Sequence, residues 1–124
     1  MFIYLSFINY IMDARLPSLI REAGSINSKI MSMPRLLILV SLEQLGEDGA
    51  TFRELKAGLE LPDGVLFSNL KVLMKMGYLI GRDVIVEGKS MSAYSITAEG
   101  MHALSSVKIW LSKWLKGDVS GKIG

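Results

Sequence analysis

TFRELKAGLELPDGVLFSNLKVLMKMGYLIGRDVIVEGKSMSAYSITAEG, residues 51–100, is the stretch that decides the fold. Thr51-Phe52-Arg53-Glu54 is a capping box: the threonine hydroxyl caps the third backbone N–H while the glutamate reaches back to the first residue. Phe52, Leu55 and Leu59 then mark a short helix, which Leu61-Pro62-Asp63-Gly64 breaks. A longer helix is predicted over 63–76, because Leu66, Leu70, Leu73 and Met74 fall at the three- and four-residue steps of one buried face. Gly77 stands where a left-handed residue is wanted to close it.

After Gly77 the period changes to two. Residues 79–86 and 93–96 read as strands, and Glu87-Gly88-Lys89-Ser90-Met91-Ser92 as the polar turn of a β-hairpin between them. Thr97 is suited to cap a last helix with Glu99 in its first turn, although Gly100 leaves the box incomplete. That helix is expected to reach Lys116, where Gly117 and Asp118 end it.

Upstream, Pro34 suits the first position of another helix, and 35–45 is apolar nearly all round, as a central helix requires. Gly46-Glu47-Asp48-Gly49 is a turn. Between 13 and 32, Leu16, Leu19, Ile20 and Ala23 form a partly helical stripe that Gly24 ends. The expected class is therefore mainly α with a small β-hairpin. Two short helices joined by a tight turn and followed by a hairpin match a winged helix-turn-helix, here with extra N- and C-terminal helices. The predicted divisions are a helical extension over 1–32, a core over 33–97, a C-terminal helix over 98–116 and a flexible tail over 117–124.

Composition limits what such a chain can do. Its 124 residues suit one domain, and with half of them hydrophobic, 21% charged and a mean hydropathy of +0.36, disorder is excluded. There is no cysteine, hence no disulfide, no thiolate nucleophile and no zinc finger, in keeping with a reducing, cytoplasmic setting. His102 is the single histidine, which gives neither a zinc-binding pair nor a triad, and no phosphate-binding glycine motif occurs. Neither enzymatic activity nor a cofactor or metal is expected. The eight methionines read as flexible core filler.

The first twelve residues, MFIYLSFINYIM, are almost wholly apolar, but the run stops at Asp13, short of the roughly 20 residues of a membrane span. No charged segment precedes it and no small-residue cleavage site follows, so neither a signal peptide nor a membrane partner is expected. The alternatives are a helix packed on the domain, a dimerisation arm, or a start at Met12. At the other end, Met101, Leu104, Val107, Leu111 and Trp114 step along one helical face that Trp110 and Leu115 widen. With both ends apolar, a homodimer is favoured, with Phe2, Tyr4, Leu5, Ile8, Leu104, Val107, Trp110, Leu111 and Trp114 as its interface.

The segments RLLILVSLEQLGEDGATFRELKAGLEL, LPDGVLFSNLKVLMKMGYL and YSITAEG together resemble winged-helix transcriptional regulators of the broad MarR and ArsR type, in particular the small stand-alone proteins of archaea and bacteria. The resemblance rests on Gly77-Tyr78-Leu79 after a leucine-rich helix and on Tyr94-Ser95-Ile96-Thr97-Ala98-Glu99-Gly100 at the close of the wing. It covers about two thirds of the chain and implies a DNA-binding regulator, with 63–76 as recognition helix and 79–96 as wing. Carried over to this sequence, the implied DNA-facing residues are Thr51, Arg53 and Lys56 on the first helix of the pair. On the second they are Asp63, Gly64, Phe67, Ser68, Asn69 and Lys71, and on the wing Arg82, Lys89 and Ser90.

The sequence departs from that pattern at Pro62, where a hydroxyl residue is usual, and at Val65, Phe67 and Asn69, where small polar residues and a histidine are usual. Phe67 and Val65 have no group to hydrogen-bond a base edge, though an apolar side chain can touch a thymine methyl. Residues 51–96 carry six cations against five anions, a modest surplus for phosphate binding that a dimer would double. The expected function is a homodimeric regulator on double-stranded DNA. The alternative is a winged-helix protein–protein module using Phe67 and Val65 as an apolar contact. No residue pattern supports a small-molecule effector.

Overall fold

A computed structural model describes residues 16–116 as five α-helices and one three-stranded antiparallel sheet. The order is α1 (Leu16–Ala23), α2 (Met33–Leu45), β1 (Ala50–Thr51), α3 (Phe52–Leu59), α4 (Asp63–Lys75), β2 (Leu79–Val86), β3 (Lys89–Ile96) and α5 (Ala98–Leu115), with 3-10 turns at Ser28–Ile30 and Gly46–Asp48. The expected contacts Phe2, Tyr4, Leu5 and Ile8, and the expected tail 117–124, lie outside the described residues. The chain divides into two compact units, Ser28–Leu104 and a second whose described parts are 16–27 and 105–116.

In the first unit, α2 starts one residue before Pro34, at Met33, because Ser32 is extended and its hydroxyl accepts the Arg35 N–H. Its middle is the centre of the core: Ile38, Leu39 and Leu42 are fully buried, as are Leu66, Leu70 and Leu73 of α4. Each such side chain contributes about 1.5–3 kcal/mol by leaving water. The ends of α2 are less enclosed than an all-round apolar sequence suggests, with Met33 and Leu45 exposed.

The capping box forms as expected. Glu54 N–H donates to Thr51 Oγ1 at 3.1 Å, and Thr51 N–H donates to Glu54 Oε1 at 2.8 Å. α3 ends on Glu60 in the left-handed region (φ 54°), and α4 follows after Pro62. At the far end of α4, Gly77 (φ 81°) donates to Met74 O and Tyr78 N–H to Leu73 O, the paired closure of a Schellman motif.

Two features of the sheet correct the sequence reading. The hairpin turn is Glu87-Gly88 alone, and Lys89–Ser92 belong to β3, which pairs with β2 from Val86↔Lys89 to Leu79↔Ile96. Both turn residues have left-handed φ (51° and 78°), the conformation that a two-residue type I′ turn demands. The sheet also has a third strand, since Ala50 and Thr51 pair with Tyr94 and Ala93 on the other edge of β3.

The root of the hairpin is held by burial and by close approach. Leu79, Ala93, Tyr94 and Ser95 are buried. Thr97 Oγ1 donates to Gly77 O at 2.7 Å and accepts from Gly100 N–H at 3.0 Å, while Thr97 N–H donates to Tyr78 O. A Cβ on residue 100 would lie 2.3 Å from Tyr78 O, which explains why glycine interrupts this capping sequence. From Arg82 to Met91 no side chain is buried, so the wing projects from its root.

In the second unit, Leu19 of α1 is buried, with Trp110 and Trp114 packed against it. The two indoles meet edge to face (centroids 5.7 Å apart, 70° between planes), and Trp110 Nε1 donates to Leu19 O at 2.8 Å. Lys113 pairs with Glu22 at 2.7 Å. No described helix is long and apolar enough to cross a membrane.

Candidate nucleic-acid interface

Once Leu66, Leu70 and Leu73 are turned inward, α4 presents Gly64, Phe67, Ser68, Lys71 and Lys75 outward along one stripe. Phe67 is 54% exposed and Val65 38% exposed. Lys71 Nζ lies 5.3 Å from the centroid of the Phe67 ring, a cation–π contact that places a positive charge beside the aromatic face.

Phe67 is the ridge between two shallow depressions. One, of about 410 Å³, is lined by Thr51, Phe52 and Arg53 at the start of α3 and by Met91, Ser92 and Tyr94 on β3. The other, of about 580 Å³, runs along α4 past Ser68, Lys71, Val72, Met74 and Lys75. The start of α3, the outer face of α4 and one strand of the wing are thus brought together around one aromatic ring. Met91, Ser92 and Lys75 join the surface although the sequence reading did not single them out; the shortened hairpin turn puts the first two there.

Several of the expected polar contacts are engaged within the chain. Thr51 is buried, and its hydroxyl serves the capping box and also donates to Glu54 Oε1 at 3.0 Å. Those bonds hold the Glu54 carboxyl below its ordinary pKa, the Thr51 backbone N–H first and its hydroxyl second. Asn69 faces α2: its Oδ1 accepts from Arg35 Nε at 2.8 Å and its Nδ2 donates to Val65 O at 2.8 Å. Arg35 also donates to Lys29 O. Ser68 Oγ donates to Val65 O at 3.2 Å.

The cations divide in the same way. Lys56 pairs with Asp63 at 2.8 Å, both largely exposed, which joins the two helices and offsets a positive charge at the start of α4. Arg82 donates to Glu47 O at 3.2 Å and Asp48 O at 3.0 Å, tying the wing to the turn after α2. Arg53, Lys71, Lys75, Lys89 and Ser90 are exposed at the surface. Among the described residues no group of three or more acidic or histidine side chains is placed to hold a metal ion.

The model of the winged helix DNA-binding domain family matches residues 35–115, well over half of the chain. The chain belongs to this family. No curated protein matches its sequence. Among solved structures it is similar to a transcriptional regulator homologue from Pyrococcus horikoshii OT3, at 26% identity and a TM-score of 0.66, over 78% of this chain and 96% of that one. A PadR family transcriptional regulator from Eggerthella lenta DSM 2243 shares the fold at 23% identity and a TM-score of 0.56, over 73% of this chain and 85% of that one. So does Staphylococcus aureus MarR, solved in complex with salicylate and kanamycin, at 14% identity and a TM-score of 0.60, over 99% of this chain and 80% of that one. The winged-helix architecture and the likeness to transcriptional regulators expected from the sequence both hold.

On the terminal helix, Leu104 and Val107 are 1% exposed and belong to the chain's own interior. Trp110, Leu111 and Trp114 are partly buried, while Met101, Ile109 and Leu115 are the exposed large apolar residues of that helix. A stripe of helical spacing marked burial correctly at Leu104 and Val107, but the burial is intrachain.

Proposed function

We propose that this winged-helix protein is a homodimeric transcriptional regulator that lays α4 in the major groove and rests the wing tip, near Lys89 and Ser90, on the DNA backbone or in the minor groove. The observation that carries the reading is the outward stripe of α4: a helix with a complete buried face still exposes an aromatic ring and two lysines beside a projecting wing. Arg53, Lys71, Lys75 and Lys89 are the phosphate contacts in this reading. Residues 51–96 of one chain carry only one more cation than anion, so two copies acting together are needed for firm binding. Exposed Ile20 of α1 and Ile109 and Leu115 of α5 supply apolar surface for the second copy, beside Trp110, Leu111 and Trp114 and with 1–12 as a further contribution. The site of action is the cytoplasm, where the DNA of a prokaryotic cell lies.

The test is fluorescence anisotropy with a random-sequence duplex over a salt series, run beside a mass measurement in solution. Binding at about 50 mM salt that falls steeply as salt rises, by a particle of two chains, is expected. Absence of binding at that salt overturns the DNA reading and favours a protein-binding module. Binding by a single chain overturns the dimer alone.

A further inference from the structure

Base sequence is read in the major groove by hydrogen-bonding side chains or by apolar contact with the thymine methyl group. On the first two turns of α4 the hydrogen-bonding groups already have partners within the chain: Asp63 is paired to Lys56, Ser68 is bonded to Val65 O, and Asn69 is held by Arg35. The side chains left prominent there are Phe67 and Val65. Phe67 is also flanked by cations, with Arg53 in the depression on one side and Lys71 and Lys75 in the depression on the other. The surface is an apolar ridge between cations. It matches a duplex groove, where base edges lie between two rows of phosphates.

We propose that Phe67 is the specificity-determining residue of α4 and reads the C5-methyl group of thymine. This rests on the DNA-binding reading above and adds to it the chemical feature that is recognised. Lys71 acts with the ring: its ammonium lies over the aromatic face and reaches toward a phosphate while the ring meets the methyl. Burying one methyl group is worth about a fourfold change in affinity. The preference is therefore for sites rich in thymine, graded by how many methyls the ring touches.

The experiment compares two pairs of duplexes that differ only in the methyl group: alternating d(A–T) against d(A–U), and alternating d(G–C) against the same duplex containing 5-methylcytosine. Wild-type protein is expected to bind the methylated member of each pair tighter by about fourfold per methyl contacted. Phe67→Ala should bind both members of a pair equally while still binding DNA. Phe67→Leu, which keeps apolar surface, should retain part of the preference; the thermal midpoints of both variants verify their folding. Equal binding of the paired duplexes by wild-type protein, or a preference that persists in Phe67→Ala, overturns the inference and leaves DNA binding standing. Failure of wild-type protein to bind any of the duplexes overturns the DNA-binding reading and this inference with it.

Discussion

Arg35 Nε donates to Asn69 Oδ1 at 2.8 Å, joining α2 to the middle of α4 across 34 residues of sequence. The bond is charge-assisted and partly buried, and the same guanidinium reaches back to Lys29 O, so one arginine ties together a turn, the central helix and the proposed recognition helix. Because Asn69 also donates to Val65 O, its carboxamide is fixed at both ends.

Arg35→Ala and Asn69→Ala should each lower stability by about 1–2 kcal/mol, measured by urea unfolding. The double substitution should cost clearly less than the sum, because both singles remove the same bond. Asn69→Ala should keep the DNA sequence preference of the parent. A changed preference with unchanged stability would make Asn69 a base-reading residue after all.

At the start of α3, Thr51→Ala removes the helix cap and should cost about 1 kcal/mol. The pH dependence follows from Glu54, whose folded pKa is depressed. A depressed carboxyl stabilises the fold at pH above its unfolded value, and that contribution disappears as pH falls through the lower folded value. Glu54→Gln should therefore narrow the stability difference between neutral and acidic solution, read from urea midpoints taken from pH 7 downward. An identical pH profile in Glu54→Gln would show that this carboxyl does not contribute.

Arg82 and Lys89 both sit on the wing, and the structure separates their effects. Arg82→Ala loses two hydrogen bonds to the turn after α2 and should act mainly on thermal stability. Lys89→Ala should leave the melting temperature unchanged, weaken binding to all duplexes alike and reduce the salt slope by about one. The opposite assignment, with Lys89 altering stability and Arg82 altering the salt slope, would refute this division.

Asp63→Asn tests the ion pair at the head of α4. Exposed pairs of this kind contribute about 0–1 kcal/mol, so stability should barely change. Removing the carboxylate releases Lys56 toward phosphate, and DNA affinity at low salt should rise. A fall in affinity would mean that Asp63 itself contacts the DNA.

What could be read from the sequence was what local chemistry decides. Thr51 and Glu54 are three residues apart, and their reciprocal bonds follow from that spacing. The Leu66, Leu70 and Leu73 face is helical periodicity alone. β1 carries no sequence signal of its own because it is two residues long and exists only through Tyr94 and Ala93, far along the chain. The hairpin turn is shorter than the sequence suggests because Glu87 is a non-glycine residue with positive φ and because Lys89–Ser92 lack the usual strand residues. The candidate site was legible in outline, with its elements and most of its cations. Which polar side chains remain for DNA was not legible, because the partners of Asn69 and Arg82 lie 34 or 35 residues away.

The wing joins a firmly packed root to an outer half in which nothing is buried between Arg82 and Met91. Residues 83–90 can therefore be exchanged at little cost to folding, as long as the Glu87-Gly88 turn keeps its left-handed backbone. This is the part of the molecule where substitution, grafting or evolutionary drift can alter the grip on a target while the scaffold stays the same. On α4 such latitude is confined to the outward positions, because Leu66, Leu70 and Leu73 are fully buried in the core.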